Sequence, residues 1–363
     1  MQLRDFSLGR LRVFAEAECF LGPGLNWFVG PNGAGKTTLL EAVSLLGLGR
    51  SFRTGNLDAV LQAGAEAWWV RGSVVGSEGQ VRSLAVGRGG RTAVERRLDG
   101  RATARASELA SALPLLVFEP QGSELVFGSS ERRRRLLDWG VFHVEHGDIG
   151  LWSRYQRALR QRNLALKAGD SASAFAWEGP LAEAGMAIAE LRAQFLSRWH
   201  ASVTLAVSEM AGDVPGLRVD LSTGWSAAMP QLSDALVAGR ARDLGLGYTY
   251  AGPHRADLVL KHDGIEVRDT ISRGQARSIA LALVLAMAAS FRAARGESPV
   301  LLLDDVCAEL DGLHLSALLR GISDRGAQAL ISSVALPAAH AAAEDRVFHV
   351  EQGKVTPLLY SRA

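Results

Sequence analysis

The eight residues Gly30-Pro31-Asn32-Gly33-Ala34-Gly35-Lys36-Thr37 constrain this chain more than any other segment. They fit G-x-x-x-x-G-K-[ST], a loop whose chemistry requires a strand before it and a helix after it. Both flanks comply. The apolar run LNWFV, Leu25 to Val29, reads as a strand, and beyond Thr38 the residues Leu39, Leu40, Val43, Leu46 and Leu48 recur at helical spacing until Gly47 and Gly49 close the run. The glycines let successive backbone N–H groups turn inward around phosphate oxygens, and the start of the helix adds its positive end to the same place. The stretch from Gly30 through Thr38 is therefore the candidate binding surface for ATP, with Lys36 reaching the β- and γ-phosphates and the Thr37 hydroxyl coordinating Mg²⁺. The composition sharpens the case for Lys36. Of 40 basic residues only four are Lys, at positions 36, 167, 261 and 354, and an Arg-rich chain that keeps one here fits a site needing a slim point charge.

A length of 363 residues suggests two domains, or one large domain with an insertion. A chain nearly half apolar, 21% charged and of net charge +2 excludes wholesale disorder. Cys19 and Cys307 are too few and too far apart for a disulfide framework or a zinc site. They read as small buried residues of a reducing compartment. The N-terminus MQLRDFSLGRLRVF carries charges where a secretion signal needs an apolar stretch. The longest strongly apolar run, Ser278 to Phe291, has 14 residues, which falls short of a bilayer span. The expectation is a cytoplasmic protein with no membrane partner.

Along the chain, residues 1 to 29 and 68 to 98 read as strands, with WWVRGSVV and VRSLAV the clearest of the second group. The pattern turns helical near Leu136. Trp152, Tyr155, Leu159 and Leu166 share one helical face, with Arg154, Arg157, Arg160 and Arg162 around the rest. A second helix fits Pro180 to about Met210, with GDSAS between the two. LRVDLS and DLVLKHDGIEV read as strands again. An apolar helix follows Gly274, PVLLLDDV reads as a buried strand, and LLRGIS and AQALISSV add a last helix and strand. There are no internal repeats.

Val300-Leu-Leu-Leu-Asp304-Asp305 supplies the second half of a nucleotide site: four apolar residues bury a strand, and two carboxylates emerge at its end, where open α/β sheets bind ligands. Asp304 would join the Mg²⁺ shell, and Asp305 would orient or deprotonate the attacking water. Between the two halves, Ile271-Ser272-Arg273-Gly274-Gln275 opens the apolar helix, either as an ordinary cap or as a second anion-binding corner. The order of P-loop, S-R-G-Q, LLLDD and Ala-Glu-Leu-Asp311 resembles an ABC-type ATPase head, in which the serine-led signature acts in trans on a partner's nucleotide.

A narrower resemblance covers most of the chain. The segments GRSFRT, FEPQGSELVFGSSERRRRLLDWGVFH, YQRALRQRNLALK, YTYAGPHRADL, ISRGQARSIALAL and LLLDDVCAELD occur in the order of the RecF recombination and repair ATPases, a short-armed branch of the group that includes SMC heads. The resemblance implies an α/β fold: an ABC-type P-loop ATPase head of mixed sheet and helices, built from residues 1–125 and 250–363, with a mainly helical second lobe inserted at 126–249. It implies a protein that forms a homodimer on ATP, binds double-stranded DNA near single-strand gaps, and acts with RecO and RecR to load RecA, with slow, DNA-stimulated ATP hydrolysis resetting the clamp. By motif position Gln121 falls in the Q-loop and Asp311 in the D-loop, with Ser272, Arg273, Gly274 and Gln275 forming the signature. Ser332 or Ser333 stands where many ABC proteins keep a histidine. Arg12, in LRVF, falls near the nucleotide base as in related heads.

The arginines admit three readings. Residues 88 to 167 carry 15 basic and 9 acidic residues, whereas Pro299 to Leu313 carries four acids and no base. The basic segment suits contact with DNA phosphates. A solvated helix face is the second reading, and for Arg132 to Arg135 intramolecular pairing is a third. His254 and Arg255 of GPHRAD would be turn residues were it not for the family likeness. Two other function classes compete: the nucleotide-binding subunit of an ABC transporter, and a DNA-binding module in which ATP is only structural.

Overall fold

The computed structural model describes residues 1–90, 93–119, 121–145, 149–212, 214, 216–337 and 345–358. The chain divides into two compact units, Met1–Gly122 with Leu281–Ala363, and Ser123–Ala280. The second unit therefore runs past residue 249, where the sequence reading ends the inserted lobe.

The first unit holds two six-stranded sheets. One is an antiparallel arrangement of Phe14–Phe20, Gln2–Leu11, Ala67–Val75, Val81–Gly89, Glu95–Leu98 and Arg101–Ala102. Alternation in Ala67–Val75 sends Trp68, Val70 and Val74 into the core while Arg71 stays exposed, the signature of a sheet covered on one face. The other sheet places Lys354–Leu358, Arg346–Glu351, Leu25–Val29, Ala329–Ser333, Val300–Leu303 and Leu115–Phe118 side by side. Five of its strands are parallel, and only the edge strand Lys354–Leu358 is antiparallel. All four residues of Val300–Leu303 and all five of Ala329–Ser333 are buried, as expected of strands covered on both faces. Because these strands are parallel, Val29, Ser333, Leu303 and Phe118 all end at one edge of the sheet. The two strands at the C-terminal end of the chain escaped the sequence reading; Phe348 is held in place by stacking on Phe28, ring centroids 5.1 Å apart.

The second unit is mainly helical. Ile149–Lys167 and Glu178–Met210 form the expected hairpin, and the polar GDSAS segment between them is itself structured: Asp170 caps the short helix Ser171–Ala176 by accepting from the Ser173 N–H. The core of the hairpin gathers Tyr155, Leu181, Ile188, Leu232 and Leu236. Ser130–Val144, Leu232–Ala238 and Arg240–Leu246 add helices, and Arg218–Ser222, Asp257–His262 and Ile265–Glu266 form a small antiparallel sheet. Helix Arg273–Arg295, which belongs to the first unit from Leu281 onward, is long and apolar enough to cross a membrane by length and composition, yet its residues from Ile279 to Ala288 are buried within the protein.

Candidate nucleotide site

Strand Leu25–Val29 delivers the P-loop at the carboxyl edge of the parallel sheet, and helix Lys36–Leu48 leaves from it. Two glycines there are steric requirements. A Cβ on Gly30 would stand 2.0 Å from the Val350 carbonyl oxygen, and Gly35, at φ 112°, has the Phe14 ring 2.6 Å from where its Cβ would be. Thr38 is buried and its N–H bonds the Gly35 carbonyl at 2.9 Å, while Ala34 closes a turn on Pro31 at 3.3 Å. The Lys36 ammonium donates to the carbonyls of Gly30 at 2.7 Å and Pro31 at 2.9 Å, so the side chain lies along the loop it serves. Burial holds its pKa below the ordinary lysine value, opposed by the charges of Asp305 and Asp304.

The acidic strand meets this loop directly. Thr37 Oγ1 donates to Asp304 Oδ1 at 2.8 Å, Ser332 Oγ donates to the same oxygen at 2.6 Å, and the Asp305 N–H donates to Ser332 Oγ at 2.8 Å. Burial raises the Asp304 pKa above the usual carboxylate value, countered by the Ser332 and Thr37 hydroxyls. Asp305 has φ 52°, a left-handed conformation that a residue with a side chain adopts at a cost of about 1–3 kcal/mol, and such strain clusters at functional sites. Its Oδ1 is buried without a hydrogen-bond partner. Of the two serines offered by the sequence, Ser332 therefore belongs to the site, and Ser333 instead donates to the Ala335 carbonyl.

These groups line one cleft of about 540 Å³, together with Asn32, Gly33, Arg12 and Arg53. Val13 and Ala59 give it an apolar patch. Arg12 was expected here. Sequence reasoning missed what holds it: Glu41, on the second turn of the P-loop helix and fully buried, accepts a two-pronged pair of bonds from Arg12 and one from Ser51 Oγ, and lies 3.8 Å from Arg53. Ser51 Oγ in turn accepts from the N–H groups of Arg53 and Thr54. One carboxylate thus anchors two cations at the rim of the phosphate loop, and GRSFRT acquires a structural purpose. The only signal in the sequence was a charged residue, Glu41, inside an otherwise apolar helix.

The oxygen donors suit a hard divalent cation. Mg²⁺ usually takes one or two carboxylates with substrate phosphates, and Thr37 and Asp304 supply a hydroxyl and a carboxylate at one point. Among the described residues no cluster of three His, Cys, Asp or Glu forms a metal cage, which separates this site from an all-protein one. The arrangement can cradle a polyphosphate, neutralise it with Lys36 and a cation, and present Asp305 to a water.

Other expected site residues lie outside this cleft. Gln121 is exposed, three residues beyond strand Leu115–Phe118. Asp311 caps helix Gly312–Asp324, accepting from the N–H groups of Leu313 and His314. Ser272 to Gln275 belong to the second unit, where Ser272 Oγ accepts from the Gln275 N–H and the Gln275 side chain accepts from the Ser272 N–H. This is a reciprocal capping box that leaves Ser272, Arg273 and Gly274 exposed at the helix start. The basic segment needs correction. Arg162 is fully buried between Glu178 and Asp243, and Arg133 is buried on Asp257, so neither presents a charge to a phosphate. Arg134 donates to Ser130 and to the Ala256 carbonyl, and Arg135 pairs with Glu131. Intramolecular pairing, the third reading for Arg132 to Arg135, describes Arg133, Arg134 and Arg135, and Arg162 is paired as well, which neither of its two readings anticipated. Arg157 and Arg160 are exposed.

The family described as RecF/RecN/SMC N terminal domain matches residues 2–356. The DNA replication and repair protein RecF of Stenotrophomonas maltophilia is 40% identical over 98% of this chain and 99% of its own length, and that of Azotobacter vinelandii is 38% identical over 96% and 98%. Among solved structures, the recombination mediator protein RecF with ATP, of the RecFOR pathway, superposes with a TM-score of 0.87 at 25% identity, covering 98% of this chain and 97% of that one. An Smc head bound to the C-winged helix domain of ScpA shares the fold at TM-score 0.60 and 15% identity, covering 99% and 98%. With its full length matched at that identity, the chain belongs to the RecF family, and its α/β fold is that of the ATPase heads which RecF shares with SMC proteins.

Proposed function

We propose that this chain is an ATP-dependent DNA-binding protein of recombination and repair: a cytoplasmic protein that pairs head to tail on ATP, holds double-stranded DNA near single-strand gaps, and acts with RecO and RecR to load RecA. The observation that carries the nucleotide part is the hydrogen-bonded junction of Thr37, Asp304 and Ser332 beside Lys36, formed where four parallel strands end. The DNA part leans on relatives that are replication and repair proteins. The head is built from both ends of the chain, with the helical lobe between them.

In this reading Lys36 exchanges two backbone carbonyls for the β- and γ-phosphates, and the N–H groups of Gly33 to Thr38 wrap the phosphate chain. Arg12, held by Glu41, lies against the apolar patch that receives the base. Thr37 and Asp304 would hold Mg²⁺, which neutralises charge building on the phosphate oxygens when bound. Asp305 orients the attacking water and accepts its proton. Ser272, Arg273, Gly274 and Gln275 act on the nucleotide of a second copy, with Asp311 and Gln121 completing the closed pair. Hydrolysis is slow and resets the clamp.

Sedimentation with ATP and Mg²⁺ tests this. Lys36→Met should abolish ATP-driven pairing, and Ser272→Arg should leave ATP binding intact and block pairing. Unchanged pairing in both removes the clamp. Asp305→Asn should pair and hold DNA without turnover.

A further inference from the structure

The second unit contains a cleft of about 610 Å³ whose lining, among the described residues, includes Trp225, Tyr250, Arg242 and Arg255 and no carboxylate. Its cations are already arranged on aromatic faces. The guanidinium carbon of Arg242 lies 3.9 Å from the Tyr250 ring centroid, and that of Arg255 lies 5.4 Å from Tyr248 and 5.8 Å from Tyr250. A guanidinium held over a ring has its terminal N–H groups at the ring's margin, where a phosphate can meet them with little further loss of entropy. Tyr250 is 48% exposed; Arg242 is ion-paired, its Nε 3.7 Å from Asp243, whereas Arg255 has no carboxylate partner among the described residues.

Buried polar bonds tie down the segment that carries Tyr250. Buried Asp243 accepts from the Tyr250 N–H at 3.2 Å and from Arg162 at 2.8 Å, and Asn163 accepts from Thr249. His254 bridges Tyr155 and the Thr249 carbonyl at 2.6 and 3.1 Å. Fixed aromatic faces with adjacent guanidinium edges match a ligand that repeats a flat base and a phosphate. A duplex hides its base faces in the stack, whereas a single strand offers them, and the cleft volume is that of one small-molecule site.

We infer that this cleft binds a nucleotide unit of single-stranded DNA, a base stacking on the Tyr250 and Trp225 side and its phosphate on the edges of Arg242 and Arg255. The choice of nucleic acid over another phosphate-bearing ligand rests on the proposed function.

Fluorescence anisotropy of the full chain with a labelled oligothymidylate, and with a duplex of equal length, decides it. Tyr250→Ala should weaken oligothymidylate binding about tenfold while Tyr250→Phe, which keeps the face, binds as the native protein does. Arg255→Ala should flatten the slope of log affinity against log salt by about 0.7. Duplex binding, ATP binding and melting temperature should not move in any of the three. Equal oligothymidylate affinity in Tyr250→Ala and the native chain overturns the site, as does competition by thymidine monophosphate as strong as by the oligomer. If duplex binding is absent from the native chain while the Tyr250-dependent strand binding persists, the clamp reading falls and this site stands. Strand binding indifferent to Tyr250 alongside ATP-dependent duplex binding is the reverse result.

Discussion

Thr37 and Asp304, 267 positions apart in the chain, share a hydrogen bond of 2.8 Å from Oγ1 to Oδ1. The bond joins the P-loop to the acidic strand, and a third residue secures it: Ser332 donates to the same carboxylate oxygen and accepts the N–H of Asp305. Ser332→Ala removes both bonds from a buried site without touching a phosphate. Partners that orient a metal ligand typically contribute 10–100-fold in metal affinity. The Mg²⁺ concentration that half-saturates ATP binding should therefore rise about tenfold or more in Ser332→Ala, with Ser333→Ala as the control that leaves it in place. An unchanged Mg²⁺ titration would detach Ser332 from the site.

Glu41 makes a prediction about stability. Its carboxylate is fully buried, and Arg12, which it holds, has φ 49°, a conformation that needs an anchor. Glu41→Gln leaves the Arg12 guanidinium, 23% exposed, without its counter-charge, and losing charged hydrogen bonds of this kind costs about 1.5–3 kcal/mol, less than for a fully buried pair. Urea unfolding should show a loss of that order. The double variant with Arg12→Ala should lose less than the sum of the two single changes, because they remove one interaction. Strict additivity would mean that the pair does not anchor the rim.

The contrast between these two sites shows what a sequence can carry. Lys36, Thr37, Asp304 and Asp305 were readable because a phosphate loop and a carboxylate at a strand end are local patterns, each bound to one element, and a parallel sheet brings such ends together. Glu41 was unreadable for the opposite reason: its meaning lies in Arg12, on a different element, and helical spacing marks it only as an interruption. The arginines failed similarly. Arg162 and Arg160 stand on one helix and look alike in a charge count, yet one is fully buried with two carboxylates and the other is exposed. The strands Arg346–Glu351 and Lys354–Leu358 were lost because VFHVEQGKVT is short and interrupted by a turn, and its burial comes from a neighbour that is distant in sequence.

That difference between Arg162 and Arg160 can be measured. Arg162→Met takes the buried guanidinium from Asp243 and leaves Glu178 to Arg240 alone, and should lower folding stability by about 3–5 kcal/mol. Arg160→Ala should stay within about 0.5 kcal/mol of the native chain, as exposed substitutions do. The salt dependence of DNA binding by folded Arg162→Met should match the native protein, since a guanidinium that never meets solvent releases no counterions. A flatter salt slope in Arg162→Met would return Arg162 to the phosphate-contacting surface.

His254 predicts a pH dependence of folding. The Tyr155 hydroxyl meets Nδ1 at 2.6 Å and the Thr249 carbonyl meets Nε2 at 3.1 Å, a pairing satisfied by a neutral ring that accepts at Nδ1 and donates at Nε2. Burial is the main cause that pushes the imidazole down to about 4 from its ordinary 6.5. The unfolded chain thus binds a proton near pH 6.5 that the folded chain refuses until about pH 4, so stability rises with pH across that window. The contribution is complete above the unfolded value and is lost as the pH falls toward the folded one, at up to about 1.4 kcal/mol per pH unit. Urea midpoints of the native chain and of His254→Gln, compared at neutral pH and at about pH 5, should converge on acidification, because the variant lacks this group. Parallel declines in the two proteins would show that His254 is not the residue that titrates.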